Sequence, residues 1–467
     1  MLISEGVEII DDWDTEGRLA RPTGRLPVPK VFIPDPPEAF VYVPRTLDAL
    51  ALLGDQERAD AANWFVDRLF LYSHFGMRRD QFGYTPLKVA YLRRVVPRSI
   101  ERDLRRALIK AGVIECDGRY VVGQKSFGYR LLPQYQSRHH RIAIQHPGIR
   151  DRILKVRRAD LKKLSRVHLH LFRQFDRLSL DLSSVAVDGQ AESKWSHFNE
   201  MTLDLLRNKD WMPTVCEYGR FHTPLTRLMT EYRAGLRLDG LKVINLDLAN
   251  SQPLFLSLLM KRIMSVQRLE DDLKARIDVE GEELRRVLYS SDVLDNPVLT
   301  CPVESPILGS PYTMAEAINS VSVYDDVSRY IHLTEHGQLY DFLSQNSPLS
   351  RSDFKETLFK DVFFCRNAYR TALTDEFERL FPNVLAFMQK IKRSNYRRLA
   401  WIMQKEESKL MIDGVCGRIM NEHPDLPILT IHDSIMTIPD REDTVRQAIL
   451  SEFARVGVTP TIRVERY

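Results

Sequence analysis

Cysteine is scarce in this chain, and its five copies are never grouped. Cys116, Cys216, Cys301, Cys365 and Cys416 lie far apart with no CxxC pair. That excludes a zinc ribbon and a disulfide framework, and it suits a reducing cytoplasm. Long apolar runs are missing too, and none approaches the roughly 18 residues of a membrane span. The first residues, Met1-Leu-Ile-Ser-Glu-Gly-Val-Glu, are acidic and hold no signal-peptide core. There are no internal repeats and no low-complexity segment. Net charge is nearly absent at +4, so the chain as a whole does not announce nucleic acid, although local patches matter more than the sum. What is there is 467 residues, 44% hydrophobic and 28% charged. These are the figures of a soluble globular chain of roughly two to four domains with ample core.

The chain divides by pattern. Residues 1–45 carry Pro22, Pro27, Pro29, Pro34, Pro36, Pro37 and Pro44. Proline blocks helix and removes backbone donors, so an extended arm is expected. Residues 46–135 read as one module. A helix over Gln56–Phe75 has Ala62, Phe65, Val66, Leu69 and Phe70 at helical spacing. A second helix, Ile100–Ala111, is stopped by Gly112. A hairpin is expected over Val113–Val122 with an Asp-Gly turn, then a strand over Phe127–Leu132. Helices followed by a hairpin suggest a winged-helix-like module. Arg98, Arg102, Arg105, Arg106 and Lys125 suit phosphate contacts, or make a solvated face on a docking module. Residues 136–215 contain a basic helical stretch, 150–177, that could track a duplex backbone. His168-Leu-His170 could bind metal on a strand, but on a helix residues two apart do not share a face and make a poor metal site. Residues 255–345 look mainly helical, with a loop at Cys301–Tyr312.

Three stretches concentrate the chemistry. Val243-Ile-Asn-Leu-Asp247 is a strand ending on an acid, followed by a turn at Asn250-Ser-Gln-Pro253 and an apolar helix. A carboxylate there could hold Mg²⁺ with the Leu248 carbonyl as a further ligand, or it could cap the helix. Ile428–Ile438 has two β-branched runs flanking His432-Asp433-Ser434, a hairpin that presents Asp433, or an ordinary polar turn. Between them, Arg351, Lys355, Phe359 and Phe363 are spaced by four and share one helix face. The two cations can neutralise a triphosphate and the rings can stack on a base and sugar. The plainer alternative is an amphipathic core helix. Two lone carboxylates on strands and one cationic, aromatic helix are the parts of a two-metal nucleotidyl transferase.

In order and content these stretches resemble motifs A, B and C of the family A DNA polymerases and the single-subunit phage-type RNA polymerases. Tyr218-Gly-Arg-Phe-His-Thr-Pro-Leu225 resembles the Gly-Arg segment before motif A, and Trp401-Ile-Met-Gln404 the segment whose glutamine reads the minor groove. The resemblance covers roughly 150–467 and leaves the N-terminal module outside. It implies an α+β right hand: a basic thumb-like region at 136–215, then palm and fingers over 216–467, with fingers at about 265–395. It implies that Asp247 and Asp433 hold two Mg²⁺ ions (or Mn²⁺) and that Lys355 and Arg351 bind the triphosphate, Lys355 also as a proton donor. Phe359, Phe363 and Gln252 would face the nucleotide, and Arg220, Gln404 and His432 the primer-template.

The departures divide the readings. Gln252 stands where the DNA enzymes carry a sugar-screening glutamate, and His432-Asp433-Ser434 matches the RNA enzymes. Phe363 lacks the hydroxyl the RNA enzymes use. No 3′–5′ exonuclease pattern is visible. The expectation is a cytoplasmic, exonuclease-free DNA polymerase acting on a DNA primer-template with nucleoside triphosphates, off the membrane, with replication or mobile-element partner proteins. The alternatives are a primase or RNA polymerase, and an inactive polymerase-like nucleic-acid-binding protein.

Overall fold

The computed structural model describes residues 38–75, 80, 82–121, 125–136, 138–185, 196–280, 325–345 and 347–467. It is a mixed α+β chain with several small antiparallel sheets. Among the described residues no helix is long and apolar enough to cross a membrane. The expected loop at Cys301–Tyr312 and most of the proline-rich arm lie outside the described residues.

The end of that arm is a strand. Phe40–Pro44 pairs antiparallel with His139–Ala143, and Val41, Tyr42 and Val43 are buried. The run of β-branched and aromatic side chains outweighs the flanking prolines. Beneath the pair runs the helix Gln56–Phe75, with Ala62, Phe65, Val66, Leu69 and Phe70 buried as the spacing predicts. Asp67 on this helix accepts from the Tyr42 amide at 3.0 Å.

The second helix forms at Arg98–Lys110, but the hairpin after it is wider than the Asp-Gly signal predicts. Ile114–Cys116 pairs with Gly128–Leu131, and Thr85–Pro86 adds a third strand. Asp117 is the reason. Its carboxylate accepts from the Gly128 amide at 2.9 Å and holds Lys125 at 2.8 Å, so the chain returns eleven residues later. Lys125 is therefore spent inside the module. Arg105 is also spent, on Glu101 and the Tyr129 hydroxyl. Arg98, Arg102 and Arg106 remain exposed.

The basic stretch is two helices, Pro147–Leu161 and Arg166–Gln174, separated where Ser165 caps the second through the His168 amide. Further on, Ile244–Leu248 sits inside a four-stranded antiparallel sheet. The spatial order is Leu429–Ile431, Ser434–Thr437, Ile244–Leu248, Ile462–Arg466. The helix Glu442–Arg455 packs on this sheet. From the end of Ile244–Leu248 the chain turns at Asn250 into the helix Ser251–Glu280. Leu254, Phe255, Leu256, Leu258 and Leu259 are buried on all sides of it, so its first turns run through the core. The helix Asp325–Glu335 lies against it, joined by a buried Ser257–Thr334 hydroxyl contact of 2.7 Å.

Candidate active site

The central sheet places the two expected acids together. Asp247 is directly opposite Ser434 on one side and Arg463 on the other. Asp433 precedes Ser434, in a two-residue turn between Ile431 and Ser434. Side chains opposite each other share a face, so Asn245, Asp247, Ser434, Arg463 and Glu465 lie on one face, with Met436 opposite Asn245. Asn245 donates to Glu465 at 3.2 Å.

The turn is strained. His432 has φ of 53°, a left-handed conformation that favours glycine. Asn250, at the turn after Asp247, has φ of 55°, and both polar atoms of its buried amide are without a partner among the described residues. Backbone outliers of this kind gather where surrounding structure fixes a site.

The electrostatics fit a cation. Burial first, then the Asp433 carboxylate and Glu465, push the Asp247 carboxyl up to about 7, while Lys355 and Arg463 pull it down. Two repelling carboxylates with the Leu248 carbonyl at the strand end are a hard oxygen donor set suited to Mg²⁺. Among the described residues no group of three His, Cys, Asp or Glu side chains forms a cage. The ions would rely on substrate phosphates and water for their remaining ligands.

Lys355 thus acts on Asp247 from the helix Arg351–Leu358, which Ser350 caps through the Asp353 amide. Arg351 and Lys355 are exposed and stand 5.7 and 5.8 Å from the centre of the buried Tyr340 ring. Arg351 also pairs with Asp341 at 2.8 Å on the surface. Phe359 is half-buried and meets Tyr340 edge-on. Phe363 departs from this face. It is fully buried against Phe359 and Phe377. The cause is a π-helical turn over Phe359–Phe363, closed by a 2.8 Å bond from the Phe364 amide to the Phe359 carbonyl. The wider turn rotates the fourth residue off the helical face. Phe364 takes the outward place and stacks on Phe359 at 5.4 Å. Carbonyls freed by the turn are held from elsewhere. Thr374 donates to Asp361 at 3.0 Å and buried Lys392 to Val362 at 2.8 Å.

Arg220 and Gln252 converge on a residue the sequence reading missed. Glu407, buried on the helix Arg398–Ser408, takes both Arg220 nitrogens at 2.9 and 2.8 Å and also accepts from the Gln252 amide. Burial pushes its carboxyl up to about 7, Arg220 pulls it down, and Asp433 adds to the rise. Gly219 permits the approach. Its φ is 83°, and a Cβ there would lie 3.1 Å from the Ser408 Cβ. Gln404 stands one turn earlier, half-buried, with Trp401 stacked on Tyr218 at 6.0 Å. The signal for Glu407 was its spacing: Met403, Glu407 and Leu410 fall on the buried face of one helix.

His432 is half-buried beside His222, with ring centres 6.4 Å apart. Burial, with Arg220 adding to it, holds the His432 imidazole below its usual range. His222 is pushed down to about 4 by burial, with His432, Arg227 and Arg220 adding to the fall. Both rings therefore stay neutral near pH 7.

No family model matches the chain. No curated protein matches it. One solved structure similar to it is the POL domain of Pol1 from M. smegmatis, in complex with DNA primer-template and dNTP. The match is 11% identical, covers 58% of this chain and 50% of that one, and has a TM-score of 0.26. The chain thus spans half the length of that structure, and likeness at this level fixes no property of it.

Proposed function

We propose that this chain is a template-directed nucleotidyl transferase, a DNA polymerase of family A type without a proofreading exonuclease. Its frame is a right hand with Asp247 and Asp433 in the palm. The observation that carries the reading is the meeting of Asp247, on its strand, with Asp433, in the turn of the adjacent hairpin, with Lys355 acting on Asp247 from a cationic helix. Asp247, Asp433 and the Leu248 carbonyl would hold Mg²⁺, which would supply charge stabilisation for the primer 3′-hydroxyl and the departing pyrophosphate. Lys355 and Arg351 bind the triphosphate, and Arg351 leaves Asp341 to do so. Lys355 supplies a proton to the pyrophosphate. Phe359 offers a ring to the nucleotide, while Phe363 supports it from the core. Arg220, Gln404 and His432 face the primer-template, with Arg220 anchored by Glu407.

One observation favours the ribonucleotide reading. The Gln252 Nε2 is committed to Glu407. The amide oxygen is then the atom left for the sugar, and an acceptor there suits a 2′-hydroxyl donor.

The test is extension of a labelled primer on a DNA template with dNTPs and, separately, NTPs, using wild type and Asp433→Ala. Extension by dNTPs that disappears in the variant is expected. Extension by NTPs alone would establish the RNA reading. No product in any lane, with duplex binding intact, would leave a polymerase-like binding protein and end the enzyme reading.

A further inference from the structure

A cavity of about 490 Å³ lies between the N-terminal module, the helix Pro147–Leu161 and the segment leading to Arg220. This size falls within the roughly 300–1,000 Å³ of small-molecule pockets. Asp247, Asp433 and Lys355 do not line it.

Its wall is cationic and aromatic. Arg68, Arg94, Arg157, Lys163 and Arg227 contribute positive charge. The lining carboxylates are already engaged. Asp160 takes Arg94 at 2.7 Å and Lys163 at 2.9 Å, and Asp210 takes Arg141. Arg157 is different. Among the described residues it makes no ion pair and donates to the Phe40 carbonyl at 3.2 Å. Burial and neighbouring Arg68 hold its pKa below the usual guanidinium range, while the Asp210 and Asp67 carboxylates act against them without pairing with it. A half-buried cation without an ion-pair partner carries a desolvation cost, and a bound anion offsets it. The rings stand beside it. Trp64 and Tyr91 stack at 5.8 Å, and Tyr72 meets Tyr91 edge-on at 5.5 Å while 41% exposed. The Thr223 hydroxyl, on another lining residue, is buried without a hydrogen-bond partner among the described residues.

We propose that this cavity binds a nucleoside phosphate, with Arg157 and Lys163 on the phosphate, Lys163 leaving its exposed pair with Asp160 to Arg94, and the Trp64–Tyr91–Tyr72 group against the base. Fixed cations beside aromatic faces match an anion joined to a planar ring. The ligand is a free nucleotide or the 5′-phosphorylated end of a strand. His222 lines the cavity and stands beside His432, the residue before Asp433. Occupancy therefore adjoins the candidate catalytic acids without using them. The inference does not rest on the polymerase reading.

The test uses the full chain in EDTA, so that metal-dependent triphosphate binding is suppressed. The probe is N-methylanthraniloyl-ATP, followed by fluorescence anisotropy. Competitors are ATP, inorganic tripolyphosphate, and one oligonucleotide with either a 5′-phosphate or a 5′-hydroxyl. Saturable binding is expected, weakened at least about fivefold by Arg157→Gln and by Lys163→Glu. Asp433→Ala should leave it unchanged. Lys163 is 71% exposed, so its substitution reads binding even where Arg157→Gln disturbs folding. Competition by the 5′-phosphorylated strand but not its 5′-hydroxyl twin supports a strand end, and competition by ATP alone supports a free nucleotide. The proposal is overturned if binding is not saturable, if both charge variants bind as wild type, or if Asp433→Ala abolishes binding. Tripolyphosphate competing as well as ATP would refute the base contact.

Discussion

Removing Arg220 should injure this protein in proportion to alkalinity. Glu407 is 2% exposed at its side chain and owes most of its stabilisation to Arg220, which is itself only 20% exposed. In Arg220→Met the carboxyl loses its cation and takes up a proton instead. The wild-type carboxyl already titrates at about 7 because of burial, against 4.5 in an unfolded chain. Below pH 7 both proteins therefore hold the proton, and the variant loses hydrogen bonds alone, roughly 1–3 kcal/mol. Above pH 7 wild type ionises Glu407 and the variant does not. The native variant then binds one more proton than native wild type, while the unfolded chains are alike. The stability gap must widen by about 1.4 kcal/mol per pH unit, or about 3 kcal/mol between pH 7 and 9. Urea unfolding at pH 6, 7, 8 and 9, read by tryptophan fluorescence, measures it. Trp401 lies on the same helix as Glu407 and stacks on Tyr218, so it reports this region. Arg220→Met with Glu407→Gln, compared with Glu407→Gln alone, removes the titrating group and should give a gap independent of pH. A constant gap in the single variant would refute the account of Glu407 as a buried carboxyl held by Arg220.

Other consequences can be measured directly. Because Asp247 is raised to about 7 and must be ionised to hold a cation, synthesis at limiting Mg²⁺ should climb between pH 6 and 8; a flat profile would contradict this. Phe363→Ala empties a fully buried site and should cost about 3–5 kcal/mol in chemical denaturation, with Phe359→Ala costing less. Arg351→Ala should change stability by under about 1 kcal/mol, since its pair with Asp341 is exposed, yet raise KM for the nucleotide.

The parts of the site that follow local rules were legible. Ile244–Leu248 and the hairpin at Asp433 are β-branched runs ending on polar turns, and the helix at Arg351 begins where Ser350 caps it. What the sequence hid depends on contacts distant in the chain. Glu407 reads as one more charge in Lys405-Glu406-Glu407 until Arg220, 187 residues earlier, is found on it. Arg463 and Glu465 alternate along a strand like surface residues, and only their pairing with Ile244–Leu248 sets them beside Asp247. Asp117 overrides the Asp-Gly turn signal by reaching Gly128, and Phe40–Pro44 needs His139–Ala143 to become a strand.

The π turn at Phe359–Phe363 has a consequence for lineage. Such a turn is a helix carrying one surplus residue. Deleting one residue between Phe359 and Phe364 would restore a continuous α-helix and return Phe364 to the four-residue rhythm of Arg351 and Lys355. A relative without the surplus residue would thus match Phe363 by string and Phe364 by position. Aligned letters and equivalent side chains part company at this point, and the correct pairing beyond it is displaced by one.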